Sequence, residues 1–108
     1  MSVHLELVEL EQAVFDYWRA ALADPAITTI RLDWQMFHLE RFVLPPLGHL
    51  TLDALTPRLL ESYAVLISSE LPARAAEWTC EALAAVIAHH DVVAGERARS
   101  ALELGRGC

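Results

Sequence analysis

Apolar residues recur along this chain at steps of three and four, the repeat that lines one face of a helix. From about Leu5 to Ala23, the residues Leu7, Leu10, Val14, Trp18 and Ala21 or Leu22 follow that step. Asp24-Pro25 ends the run, because a residue preceding proline is driven out of helical backbone angles. Thr28 or Thr29 then caps a second helix reaching about Val43. Its inward set is Ile30, Trp34, Phe37 and Leu44, with Leu39 and Phe42 on an adjoining stripe. Pro45-Pro46-Leu47-Gly48 predicts a firm stop.

Leu50-Thr51-Leu52-Asp53-Ala54-Leu55 reads as a connector with two or three buried anchors. Thr56-Pro57 reads as a helix start, since threonine caps and proline is tolerated at the first helical position. This third helix is expected over about Pro57 to Ser68, with Leu59, Leu60, Tyr63, Leu66 and Ile67 inward. A fourth, about Pro72 to His89, turns Ala76, Thr79 or Cys80, Leu83, Val86 and Ile87 inward. Gly95 reads as a breaker before a short terminal helix, Glu96 to Leu104, whose weak apolar face is Ala98, Ala101 and Leu102. No stretch alternates as a strand does. The expected class is therefore all-α, a compact bundle of four to five helices in a single domain over residues 1–104, with 105–108 a frayed tail.

Composition sharpens this picture. A chain of 108 residues can bury one core without disulfides or metals. A hydrophobic share of 55% implies either a dense core or an apolar face kept for a partner. The longest stretches free of charge, Phe42–Leu52 and Ala82–His90, are too short for a membrane span. The N-terminal residues lack the basic start and apolar run of a signal peptide. The expectation is a soluble, cytoplasmic domain with no membrane partner, and Cys80 and Cys108 suggest no disulfide framework.

The charge is uneven. Eight arginines and no lysines stand against fifteen carboxylates, for a net charge of −7. A balance of −4 falls in residues 1–24 and −3 in residues 61–108, while residues 25–60 are neutral. An acidic chain does not coat nucleic acid indiscriminately, but its middle third can approach a polyanion.

Few side chains invite chemistry. His89-His90-Asp91 lacks further ligands at metal spacing and reads as a solvated helix end, where histidine suits the dipole. Cys80 lies on an apolar face without an activating base and reads as an inert thiol. Glu77/Glu81 and Glu6/Glu9 read as wet helix faces rather than acid–base pairs. No glycine loop cradles phosphate and no motif calls for a cofactor or a metal, so no catalysis is expected of this chain by itself. Trp18 and Trp34 are expected in the core, and Trp78, off the main stripe, at least partly exposed. Arg31, His38 and Arg41 share one side of the second helix. Arg58 and Arg74 each occupy a first helical turn, where a cation opposes the dipole and a ligand would explain it.

The order of these features resembles the N-terminal core-binding domain of phage integrases and other tyrosine recombinases. The resemblance lies in a Trp-containing first helix, a Thr-started second helix, Arg41-Phe42-Val43-Leu44-Pro45-Pro46-Leu47-Gly48 and Leu52-Asp53-Ala54-Leu55-Thr56-Pro57. Leu83 to Ile87 and Val92-Val93-Ala94-Gly95 are similar to the closing helix of that domain, so the likeness covers about Val8 to Gly95. It implies a SAM-like bundle that clamps duplex DNA through its second and fourth helices, a setting of phage or mobile-element recombination and integration. The DNA-contacting candidates are then Arg31, His38, Arg41 and Arg74, joined by Arg58 from the dipole argument. Thr56 and Pro57 match a structural helix start.

The chain departs from that pattern in three ways. It ends where the linker to a catalytic domain would begin, and Tyr17 and Tyr63 do not match the family's nucleophile. Glu77 and Glu81 stand on the fourth helix, where the family offers basic or polar groups. The whole chain is acidic. Three readings follow: a DNA-binding module, an acidic helical module that binds a protein, or a small helical enzyme with a carboxylate site, for which no constellation of residues speaks. Arginines gathered on one face would favour the first, and an exposed apolar patch beside Glu77 and Glu81 the second. Oligomeric state is not legible in the sequence.

Overall fold

The longest helix, α5 (Ala73–His90), buries residues along nearly its whole length, and the other elements are laid around it. The structure, a computed structural model, describes residues 8–107. Helices α1 (Leu10–Leu22) and α2 (Thr29–His38) pack together and against α5, and α4 (Pro57–Glu70) and α6 (Val92–Gly105) form a second pair on the same helix. Each region contributes a leucine that solvent does not reach: Leu10, Leu39, Leu60, Leu83 and Leu102. Burying each such side chain favours folding by about 2 kcal/mol. A radius of gyration of 12.9 Å is what one core of this length requires. The described residues are all-α, with a single isolated antiparallel bridge between Glu9 and Thr51. No helix among them is long and apolar enough to cross a membrane.

That bridge corrects the expected start of the first helix. Val8 and Glu9 lie before α1, and the expected earlier turn, with Leu5 and Leu7, lies outside the described residues. Glu9 makes no side-chain cap. The first amides of α1 are satisfied by the connector instead: Leu10 N donates to the Leu50 carbonyl at 2.8 Å and Glu11 N to that of Gly48 at 3.0 Å.

The Pro45-Pro46 stop is also corrected. The chain continues from α2 through one wide π turn, Leu39–Val43, into the short helix α3 (Leu44–Leu47), which carries its prolines in the first turn. Proline is tolerated there because those amides need no helical partner. A regular helix would have used the missing Pro46 N–H to satisfy the Phe42 carbonyl. The Tyr63 hydroxyl of α4 donates to that carbonyl at 2.7 Å, tying the π turn to the second pair of helices.

Gly95 does not break the terminal helix. Asp91 caps α6 by accepting from Ala94 N at 3.0 Å, and Gly95 lies inside the helix. A Cβ on Gly95 would stand 2.3 Å from Ala88 Cβ and 2.5 Å from Ala88 Cα, so its role is close approach to α5. Gly105 plays the same part against α4, where a Cβ would meet the Glu61 carbonyl oxygen at 2.2 Å. The expected frayed tail therefore begins no earlier than Arg106, and Cys108 lies outside the described residues.

Candidate functional site

The inward face expected for α2 is overturned. Ile30, Trp34 and Phe37 are exposed, with Trp34 at 51%; Leu44 and Phe42 pack half-buried against the core, and Leu39 of the adjoining stripe is buried together with Leu32 and Val43. Leu66 of α4 is likewise exposed, whereas the inward sets expected for α5 and α6 are buried. Trp18 is half-buried, and Trp78 is exposed at 40%, as its position off the stripe implied.

The displaced aromatics form one cluster with α5. The Trp34 and Trp78 ring centroids are 5.2 Å apart. His38 lies beneath them: it stacks on Trp34 at 5.4 Å and meets Trp78, Phe37 and Phe42 as well. It is the one charged-type side chain among the buried described residues, at 3% exposure. Its Nδ1 lies 2.7 Å from the Trp34 carbonyl oxygen. A carbonyl can only accept, so the proton of that bond sits on Nδ1 and fixes the ring under the indole. Of the expected DNA contacts, His38 is therefore a support beneath the cluster rather than a freely offered group.

The arginines gather round this cluster. Arg41 lies over the Phe37 ring at 5.9 Å and Arg74 over Trp78 at 5.9 Å. Between α2, α5 and α6 opens a cleft of about 420 Å³, lined by Arg31, Trp34, His38, Trp78, Glu81 and Arg99 among others. Four of the chain's eight arginines thus frame one face. Among the described residues, none of the four makes an ion pair. Of the carboxylates, Glu81 alone lines the cleft, against the two guanidiniums of Arg31 and Arg99.

Arg58, exposed in the first turn of α4, does not line this cleft. Arg99 was not among the expected residues. It sits on the helix with the weakest apolar pattern, and only the tight corner between α5 and α6 brings it to α2. A smaller group, Phe15 and Trp18 with Arg19 at 5.8 Å from the Phe15 ring, lies on the acidic helix α1.

The remaining candidates are structural. Cys80 is buried, and loss of hydration pushes its thiol up to about 11, partly offset by the positive field of Arg106. Tyr63 is raised above its ordinary 10.0, chiefly by burial. Neither group ionises near neutral pH, which suits inert core roles. His90 Nε2 stands 3.8 Å from Asp16 Oδ2, His89 meets the edge of Tyr17, and Asp91 caps α6. No three His, Cys, Asp or Glu among the described residues gather as a metal site. In comparisons with known proteins, no family model, no curated protein and no solved structure matches the chain.

Proposed function

We propose that the chain is a DNA-binding module without catalytic machinery of its own, and that its contact surface is the α2–α5 face. The observation that carries this reading is the convergence of Arg31, Arg41, Arg74 and Arg99 on one face of a chain whose net charge is −7. Arg31 of α2, Arg41 of the π turn and Arg74 of α5 are the arginines that the resemblance to core-binding domains singled out. Guanidinium groups without carboxylate partners are suited to phosphate oxygens, which they can engage in pairs of hydrogen bonds. Four such contacts give weak, sequence-tolerant binding that falls steeply with salt.

The test is a titration of labelled duplex DNA with the purified chain at low and moderate salt. Arg41→Ala combined with Arg74→Ala is expected to weaken binding on every sequence and to lower the salt slope by roughly 2. Unchanged affinity in that double variant overturns the assignment of this face.

A second reading rests on a separate observation. Trp34, Phe37 and Trp78 are half-exposed and flanked by arginine, the composition of a protein-binding hot spot. An absence of DNA binding even at low salt, with capture of a protein partner lost on Trp34→Ala, favours this reading.

A further inference from the structure

We propose that the cleft between α2, α5 and α6 receives an unpaired nucleotide of DNA, its base stacked on the tryptophans and its phosphates held by Arg31 and Arg99. This rests on the DNA reading and goes beyond it, because phosphate contacts alone leave the aromatic part of the site without a use. In a paired duplex each base face is covered by its neighbours, so an indole has nothing to stack on. An unpaired base offers a free ring face, and a half-exposed tryptophan can cover it.

The cleft fits such a ligand in size, shape and charge. Its volume of about 420 Å³ lies within the range of small-ligand sites, roughly 300 to 1,000 Å³. One face of Trp34 is occupied by His38, whose ring lies 30° from parallel, and that stacking holds the indole in place. Trp34 nevertheless keeps half of its surface in solvent, and Trp78 leans on it at 59°, so the two rings form adjoining walls rather than a closed stack. Preformed walls lower the ordering cost of binding.

The polar groups divide the ligand's two ends between them. Arg31 from α2 and Arg99 from α6 bring positive charge to the cleft from different helices. Glu81 and Gln35 line the same space. A carboxylate repels phosphate but accepts hydrogen bonds from the exocyclic amine of a base, so Glu81 turns the base edge toward α5 and the phosphate toward the guanidiniums. Arg41 and Arg74, over Phe37 and Trp78, continue the positive rim for the neighbouring phosphates.

The experiment compares three labelled DNAs with the full chain at low salt, by fluorescence anisotropy: a blunt duplex, the same duplex with an unpaired cytosine bulge, and an oligo-deoxycytidine strand. The bulged duplex is expected to bind about tenfold more tightly than the blunt one, with partial quenching of tryptophan emission. Trp34→Ala and Trp78→Ala should each remove most of that preference, read as the ratio of bulged to blunt affinity, while Trp34→Phe should retain it. Circular dichroism verifies that each variant folds, and Arg99→Gln, at an exposed position, gives a second line if the tryptophan variants do not. Equal binding of blunt and bulged duplexes overturns this inference and leaves the DNA reading standing. So does a preference that survives both tryptophan substitutions. No binding of any of the three DNAs overturns both.

Discussion

Where α5 turns into α6, the helices meet through Ala88 and Gly95, and a single added methyl would collide with backbone. Where α5 faces α2, they meet through Trp34, His38 and Trp78, and a cleft remains between them. The same central helix supports both regions, and residue size decides what each becomes. Small residues let backbones approach until no space is left, which suits stability and excludes ligands. Large flat residues hold the helices apart, leave ring faces in solvent and keep room for arginines at the rim. The two regions should therefore respond in opposite ways to substitution: the tight corner in stability, the aromatic face in binding.

The largest effect is expected at the corner. Gly95→Val should cost about 3 kcal/mol, because overpacking against backbone cannot be relieved by a side-chain rotation. Gly105→Ala collides with the Glu61 carbonyl just as closely, but it lies in the last turn of α6, which can unwind locally. It should cost about 1 kcal/mol. Urea denaturation of both variants checks the order. Equal costs would mean that the end of α6 is held as firmly as its start.

The same contrast explains what could be read from sequence. Helix α5 was legible because Ala76, Leu83, Val86 and Ile87 form one apolar stripe with no rival. Helix α2 and the π turn that continues it carry two apolar sets: Ile30, Trp34 and Phe37 on one side, Leu32, Leu39 and Val43 on another. Aromatic volume made the first look like core, yet burial went to the aliphatic set, which fits against close helices. The arginines Arg31, Arg41 and Arg74 were legible by type, by position in their helices and by the resemblance. Arg99 was not, because its place depends on the α5–α6 corner. That corner in turn depends on Gly95, a residue that reads locally as a breaker. The continuation of α2 past its expected end was hidden for a related reason: the Phe42 carbonyl freed by Pro46 finds its donor in Tyr63, 21 residues further along the chain.

That long-range bond gives the next effect. Tyr63→Phe keeps the ring and removes only the hydroxyl that satisfies the Phe42 carbonyl. The loss should be about 1.5 kcal/mol, the cost of a buried acceptor without a donor. Because Phe42 also touches His38, the variant should disturb the aromatic cluster as well, seen as shifted ring resonances of Trp34. A stability loss with unshifted resonances would separate the π turn from the site.

A smaller effect comes from pH. Cys80 is neutral in the folded chain up to about 11, against an ordinary value of 9.0, and Tyr63 is raised in the same direction. Below pH 9 neither folded nor unfolded chain has lost these protons, and their contribution is fully present. Above it the unfolded chain releases them while the folded chain retains them, so stability should fall as pH rises, by roughly 1 kcal/mol at pH 10. Cys80→Ala should flatten that decline. An unchanged slope in the variant would leave Tyr63 as its main source.

The last stability effect is expected where the functional effect is greatest. Trp34→Ala removes a half-exposed ring, so the cost is its buried half together with the stacking on His38. Such ring pairs contribute about 1 kcal/mol beyond their area. Solvent then reaches the imidazole, whose ring nitrogens can hydrogen-bond to water, which offsets part of that cost. The net loss is therefore expected to stay below that of Gly95→Val. Trp78→Ala should behave alike, and the two should not be additive, since each ring covers the other at 5.2 Å. A double-mutant cycle in urea measures that coupling. If either single variant costs as much as Gly95→Val, the aromatic cluster is core in the ordinary sense. The contrast between a region built to hold and a region left open to bind would then fail.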